Sequence, residues 1–237
     1  MTSKHCPSIA RLFVRLFVRL FARRCARQFA KFGAALPVVA LCACSALGPS
    51  ATPVPTFYSL NGNPVSSPVT AWEAALPRAP TLIINPPRAA AGFDSQRIIY
   101  LREPHKLEYF AHSEWVEPPA RMLGPLMVAA LQNTGAFRAV VLAPGAASGD
   151  LRLDSEIVRL QHEFQTKPSQ VHFTLRAYLL NDKTRRVLAW REFDVIEAAA
   201  GENPYGGVLA ANRAAQTLLD QLAQFCAETA RTPPLGQ

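Results

Sequence analysis

The chain has 237 residues and carries 25 Lys and Arg against 17 Asp and Glu, a net charge of +8. Taken alone, that balance would suggest nucleic acid or an anionic surface as a partner. The distribution excludes the first: eight basic residues precede Cys44, no acidic residue occurs before Glu73, and from residue 45 onward 17 basic residues meet 17 acidic ones. A nucleic-acid-binding domain needs a basic face of its own, and the remainder here is neutral.

The leader is where the charge sits. Lys4, Arg11, Arg15, Arg19, Arg23, Arg24, Arg27 and Lys31 are followed by twelve uncharged residues, Phe32 to Ala43. A membrane-spanning helix needs about 20 apolar residues, so this run is too short. It fits a signal-peptide core, in which roughly 7–15 apolar residues follow a positive segment. Leu41-Cys42-Ala43-Cys44 places Leu at −3, Ala at −1 and Cys at +1 of a cut. This resembles the lipobox of bacterial lipoproteins, which implies cleavage before Cys44 and transfer of a diacylglycerol to its thiol. Cleavage before Cys42 would instead leave the large Leu41 at −1. A metal-binding reading of Cys42 and Cys44 lacks a second ligand pair at zinc spacing. A mitochondrial presequence would account for the Arg-rich, acid-free leader but needs no lipobox.

The expected organisation is therefore a signal peptide over 1–43, a lipidated cysteine and tether over 44–56, a domain over 57–228 and a disordered tail over 229–237. Residues 45–56, "SALGPSATPVPT", are rich in Ser, Pro and Ala and lack periodicity. Of the five cysteines, only Cys226 remains unmodified after this processing, so no intrachain disulfide forms and packing must hold the domain.

Within the domain, "FYSL" (57–60) and "TLIIN" (81–85) read as short strands, and Pro86 and Pro87 stop the second. "RIIYL" (97–101) and "LEYFAH" (107–112) read as a hairpin. A helix follows, with Pro118 and Pro119 at its start, Met122, Leu123, Leu126, Met127, Ala130 and Leu131 on one face, and Gly135 as its stop. Pro125 should kink its first turns. "AFRAVVLA" is a strand, and three alternating segments then form an antiparallel meander. In the first, Leu151, Leu153 and Ile157 share one parity while Val158, Leu160 and Phe164 share the other, which calls for a bulge near Ile157. "VHFTLRAYLL" alternates cleanly, and "NDKT" turns the chain into "RRVLAWREFDV". A last helix has Asn203 as its cap and Pro204 at its first position, with Val208, Ala211, Ala215, Leu218, Leu222 and Phe225 facing the sheet. Helices among strands with an antiparallel run point to a single α/β domain built on a mixed, largely antiparallel sheet.

Chemistry-bearing motifs are absent. There is no phosphate-binding G-x-x-x-x-G-K-[ST] loop, no Gly-x-Ser-x-Gly elbow and no His-Glu-x-x-His. His162 and His172 could face each other across a meander turn, though a satisfied strand histidine is the default. Asp150, Asp154, Glu156 and Glu163, interleaved with Arg152 and Arg159, read as a solvated charged face. The residues point to a chain without catalytic function, metal or cofactor. The candidate contact surface is "LEYFAHSEWVEPPA", where Tyr109, Phe110 and Trp115 stand among charged neighbours, although strand alternation must turn some of them inward.

"FDSQRIIYLREPHKLEYFAHSEWVEPPARMLGPLMVAAL", "ALQNTGAFRAV", "DLRLDSEIVRLQHEF" and "NPYGGVLAANRAAQTLLDQLAQFC" together resemble the ABC-type transport auxiliary lipoproteins. These include the paraquat-inducible protein C-like lipoproteins that accompany transporters with a mammalian-cell-entry (MCE) domain. The resemblance covers roughly residues 55 to 228. It implies a three-layer domain and a part in moving lipid between the two membranes of Gram-negative bacteria. The MCE-domain substrate-binding protein, permease and ATPase are then separate partner chains, and a homo-oligomeric ring is one arrangement it admits. Ser45 after the modified cysteine resembles enterobacterial signals for the outer membrane. Two other readings stay open from the residues: an outer-membrane assembly lipoprotein acting on lipopolysaccharide or porins, and a periplasmic hydrolase with an unrecognised site. The anchor is directly testable. Mass spectrometry of the membrane-extracted protein should find an acylated Cys44 at the N-terminus, and Cys44→Ser should leave the chain unprocessed and absent from the outer-membrane fraction.

Overall fold

The computed structural model describes residues 54–61, 79–144 and 148–231. The expected signal peptide, Cys44, most of the tether and residues 232–237 lie outside the described residues. The described residues belong to one compact unit.

The strands are β1 (Thr56–Tyr58), β2 (Thr81–Ile84), β3 (Arg88–Ala89), β4 (Arg97–Leu101), β5 (Glu108–Trp115), β6 (Ala139–Leu142), β7 (Leu151–Glu163), β8 (Gln170–Asn181) and β9 (Val187–Ala198). The helices are α1 (Pro119–Gln132), between β5 and β6, and α2 (Pro204–Arg231) at the end. All nine strands join in one sheet.

β7 is its spine. On one edge it pairs antiparallel with β8 along its whole length, and β8 pairs antiparallel with β9, so the expected meander is present. The expected bulge is there too: Ile157 lies opposite Leu175 but Arg159 opposite Thr174, leaving Val158 over. That extra residue keeps Leu151, Leu153 and Ile157 on the same face as Leu160 despite their opposite parity. The turn between β8 and β9 is held by Asn181, whose Oδ1 accepts from the amides of Lys183 (3.1 Å) and Thr184 (2.9 Å).

The other edge of β7 is shared. β2 pairs there through Leu82–Leu151 and Ile84–Leu153, β3 through Arg88–Glu156, and β4 through Tyr100–His162, all parallel. β6 lies parallel beyond β2, while β5 lies antiparallel beyond β4 and carries β1 parallel on its far side. The sheet is thus mixed. Its antiparallel pairs are those joined by short turns, because only a neighbour reached by a tight turn must run backwards. All four residues of β2 are buried, as its unbroken apolar run requires of an inner parallel strand.

Both helices cover one face. Met127 of α1 lies with its sulfur 3.8 Å from Ser155 Oγ, and Phe225 of α2 packs edge-on to Phe193 at 5.8 Å between centroids. Ser155 and Ile157 alternate on β7 towards that face, and Leu175 and Phe193 continue it across β8 and β9. The described residues thus form the expected single α/β domain, a mixed sheet with helices packed on it. The opposite face carries Arg152, Asp154, Glu156, Arg176, Glu192 and Asp194 and has little apolar surface to bury.

α2 begins as its sequence predicts: Gly206 N donates to Asn203 Oδ1 at 2.8 Å, with Pro204 at the first helical position. Its buried face includes Val208, Ala211, Ala215, Leu218 and Leu222, while Phe225 is half-buried. Burial also pushes the Cys226 thiol up to about 12. The helix runs on to Arg231, so residues 229–231 are helical rather than tail. α1 continues through Pro125, which is exposed and costs only the hydrogen bond to the Arg121 carbonyl. Its Met127 is fully buried, while Met122 is half-buried with its sulfur accepting from Leu60 N at 3.4 Å.

Gly207 lets α2 approach the sheet closely, since a Cβ there would overlap the Nδ1 edge of the His162 ring. Gly207→Ala should therefore lower stability by about 1–3 kcal/mol through overpacking. Lys183→Ala, in an exposed turn, should stay within about 0.5 kcal/mol of the parent. Urea midpoints of the two variants check the contrast.

Candidate functional site

The hairpin singled out in the sequence divides its aromatic residues. Arg97 of β4 lies opposite Glu114, but Ile99 lies opposite Tyr109, so β5 loops out extra residues between those pairs. Simple alternation along β5 is broken there. Trp115 is 3% exposed and lines a small cavity with Ile98, Leu160, Gly207 and Ala211 beneath α2. It is a core residue, which corrects the expectation of a contact: its indole is enclosed by the sheet and α2 and offers no free surface. Tyr109 points to the helix-free side, 52% exposed, with the Arg97 guanidinium 4.1 Å above its ring centre. Phe110 is half-buried on the helix side, 4.4 Å from Tyr100 and 6.4 Å from Phe164 between ring centres. The hairpin thus presents one open aromatic, one partly open and none at Trp115.

Below this aromatic group lies His162, 2% exposed, its ring 4.1 Å from that of Phe164. Nε2 is 2.8 Å from Ser169 Oγ, and Ser169 N donates to Glu202 Oε1 at 2.8 Å. Burial lowers the His162 pKa against the opposing pull of Glu202, which favours a neutral imidazole. Nδ1 has no hydrogen-bond partner among the protein atoms. The Ser169–His162 pair has the residue types of a nucleophile and base, yet both members are sealed from solvent. A substrate carbonyl has no route to it. His172 does not meet His162. Gln161, not His162, is its register partner, and the two imidazoles lie on opposite faces.

The helix-free face is organised by ion pairs. Arg152 Nε donates to Asp182 Oδ1 at 2.6 Å, and its NH1 donates to Asn85 Oδ1 at 2.6 Å. Asn85 Nδ2 in turn donates to Asp154 Oδ1 at 2.5 Å. The Arg152 hydrogen bond holds the Asp182 carboxyl below its ordinary range. Beside this chain, Asn85, Pro86, Arg88, Asp154 and Ser155 line a polar cleft of about 230 Å³, where the two prolines part β2 from β3 along β7. Farther along, His172 sits between two carboxylates, with Nδ1 3.2 Å from Glu163 Oε1 and Nε2 2.8 Å from Asp194 Oδ1. Arg176 pairs with Glu192 at 2.7 Å, and Trp190, 62% exposed, stacks on Tyr178. Alternation marked these charges as a solvated face, but their partners on other strands were not visible in it. Among the described residues no cluster of three or more His, Cys, Asp or Glu could hold a metal ion. None of their helices is long and apolar enough to cross a membrane.

A family model for the ABC-type transport auxiliary lipoprotein component matches residues 58–223. Among solved structures, the chain is similar to the Xanthomonas campestris protein XCC0632, with a TM-score of 0.64 and 22% identity, over 74% of this chain and 97% of that one. A second solved structure, described as an uncharacterized protein, aligns with a TM-score of 0.57 and 11% identity over 73% of this chain and 99% of that one. At these identities the likeness is one of fold. A search of curated proteins returned no match.

The Glu163–His172–Asp194 group gives a pH-dependent term. Burial would raise the Glu163 pKa, but hydrogen bonds from Gln161 and Gln170 and the adjacent His172 outweigh it and lower it. For Asp194, burial is likewise outweighed by Thr174, His172 and Arg159. Folding therefore lowers both values, so the stabilisation is complete above the ordinary carboxylate range and is lost as pH falls through the folded-state pKa. Asp194→Asn should lower the urea midpoint most near neutrality, and the gap from the parent should close towards about pH 3.

Proposed function

The chain belongs to the family of ABC-type transport auxiliary lipoprotein components, and from that premise we propose that it is a non-catalytic, lipid-anchored part of an MCE-type lipid transport system. In this reading it docks the transport path at the outer membrane, facing the periplasm. The observation that carries the proposal is the extent of the family match, residues 58–223, which takes in β2 to β9, α1 and most of α2. Such a component works beside a permease, an ATPase and an MCE-domain substrate-binding protein as separate chains, which accords with a sequence that has no nucleotide-binding loop of its own.

The physical task is to keep lipid out of water. Each exposed methylene costs about 0.8 kcal/mol, so acyl chains need a continuous apolar route between the membranes. Cys44 would hold the domain at one end of that route through its acyl chains, which bind firmly when two or more are present. Tyr109 with Arg97 beside it, and the half-open Phe110, form the contact proposed for the MCE partner. An exposed aromatic flanked by a guanidinium is a common anchor of protein interfaces. A ring of several copies would place several such hairpins around one path.

The experiment is co-purification of the acylated protein with an MCE-domain protein from the same organism. Co-elution at micromolar concentration is expected, and Tyr109→Ala should weaken it at least severalfold without moving the urea midpoint. No co-elution and no crosslinking at that concentration would refute the docking role.

A further inference from the structure

Ten large hydrophobic side chains are exposed among the described residues, and five of them gather around β1: Val54 (85%), Phe57 (56%), Val116 (49%), Tyr205 (58%) and Leu209 (36%). The backbone brings them together. Val116 N donates to Tyr58 O at 2.7 Å, which ties the end of β5 to β1. The Tyr58 ring lies 6.3 Å from that of Tyr205. Tyr205 and Leu209 are four residues apart and share one side of α2. One turn farther, Asn212 accepts from Asn61 N at 2.7 Å and donates to Ser59 O at 3.2 Å, so the segment after β1 is laced to the helix.

The patch wraps an edge. Among the described residues β1 pairs only with β5, and its successive residues point to opposite faces, Phe57 beside Glu114 and Tyr58 towards α2. Apolar groups on both sides of one strand edge form a ridge, which suits a deformable medium better than a single rigid partner surface. Charge agrees with this. From Ser45 to Trp72 the chain has no Lys, Arg, Asp or Glu, and the first turn of α2 has no acidic residue. The apolar side chains of the ridge can enter a lipid interface at little desolvation cost while Glu114, beside Phe57, and Glu117, next to Val116, stay among the headgroups.

Chain length identifies the interface. Nine residues lie between Cys44 and Val54, a span of at most about 35 Å when fully extended. The patch is therefore the part of the described domain closest along the chain to the expected acyl anchor. Tethering makes its contact with lipid intramolecular, so a weak intrinsic affinity suffices. We infer that the Phe57–Tyr205 ridge rests in the headgroup region of the leaflet that holds the acyl chains of Cys44, and so fixes the orientation of the domain on its membrane. Aromatic residues at this depth place an apolar body among the acyl chains and a hydroxyl in the headgroups. The inference rests on the lipid-anchor reading of Cys44.

The test uses the acylated protein in vesicles of phosphatidylethanolamine and phosphatidylglycerol, with a nitroxide placed in turn through Phe57→Cys, Tyr205→Cys and Lys183→Cys. Cys226 does not compete for the label, because it is fully buried and its thiol is pushed up to about 12. All three target residues are exposed, and unchanged urea midpoints would establish that the variants fold. Labels at 57 and 205 should collide severalfold more with oxygen, relative to a water-soluble nickel chelate, than the label at 183. Acylated protein whose three labels behave alike overturns the inference and leaves the anchor standing. Labels at 57 and 205 shielded from both agents and broadened by each other would show a second copy on the ridge, which also overturns it. Mass spectrometry finding Cys44 unacylated overturns the anchor and this inference together.

Discussion

Along its thirteen residues β7 is hydrogen-bonded on both edges, to β8 on one side and to β2, β3 and β4 in turn on the other. Every other part of the sheet hangs from that double pairing. Within the sheet, β8 and β9 reach the other described strands only through β7, and so do the two groups that pair parallel with it, β2 with β6 and β4 with β5 and β1. The bulge at Val158 is what makes so long a strand usable. Without the extra residue, Leu160 and His162 would turn away from the helices and the core would end at Ile157.

One face of this sheet is closed by hydrophobic burial, and the other is held by charge. Under α1 and α2 the side chains are aliphatic and aromatic, with Leu123, Met127, Leu131, Leu153, Leu175 and Leu218 fully buried. On the far side Arg152–Asp182 and Arg176–Glu192 span neighbouring positions in register, and His172 bridges two carboxylates. An exposed pair such as Arg176–Glu192 contributes little stability singly. The larger effect of these pairs is on register, because a one-residue slip would set like charges opposite each other and bring Phe193 into water.

This division bears on what the domain offers to others. The buried Ser169–His162 pair lies on the sealed side and serves packing. The accessible features are all at margins: Tyr109 on the hairpin, Trp190 on the edge strand β9, and the ridge around β1. A protein that is tethered by one end and joins a larger assembly needs separate surfaces for membrane and partner. The β1 ridge lies near the proposed tether, and Tyr109 lies across the charged pair Arg97 and Glu114 from it. The family assignment supplies the transport context, and these margins supply the surfaces through which such a role would be exercised.

Much of this protein was legible in its sequence because the relevant signals are local. The neutral charge balance after residue 45, the bulge from the parity change at Ile157, the Asn203 cap with Pro204, and the Asn181 turn each depend on neighbours within a few residues. Period and capping chemistry report such neighbours directly. Pairing between distant segments carries no comparable local mark. That β2, β3 and β4 would share one edge of β7 in parallel, that both helices would lie on one face, and that extra residues in β5 would bury Trp115 while leaving Tyr109 open were decided by the tertiary structure alone. The same holds for the β1 ridge, since Tyr58 and Tyr205 are 147 positions apart in the chain and their rings meet only because α2 returns across the sheet to β1.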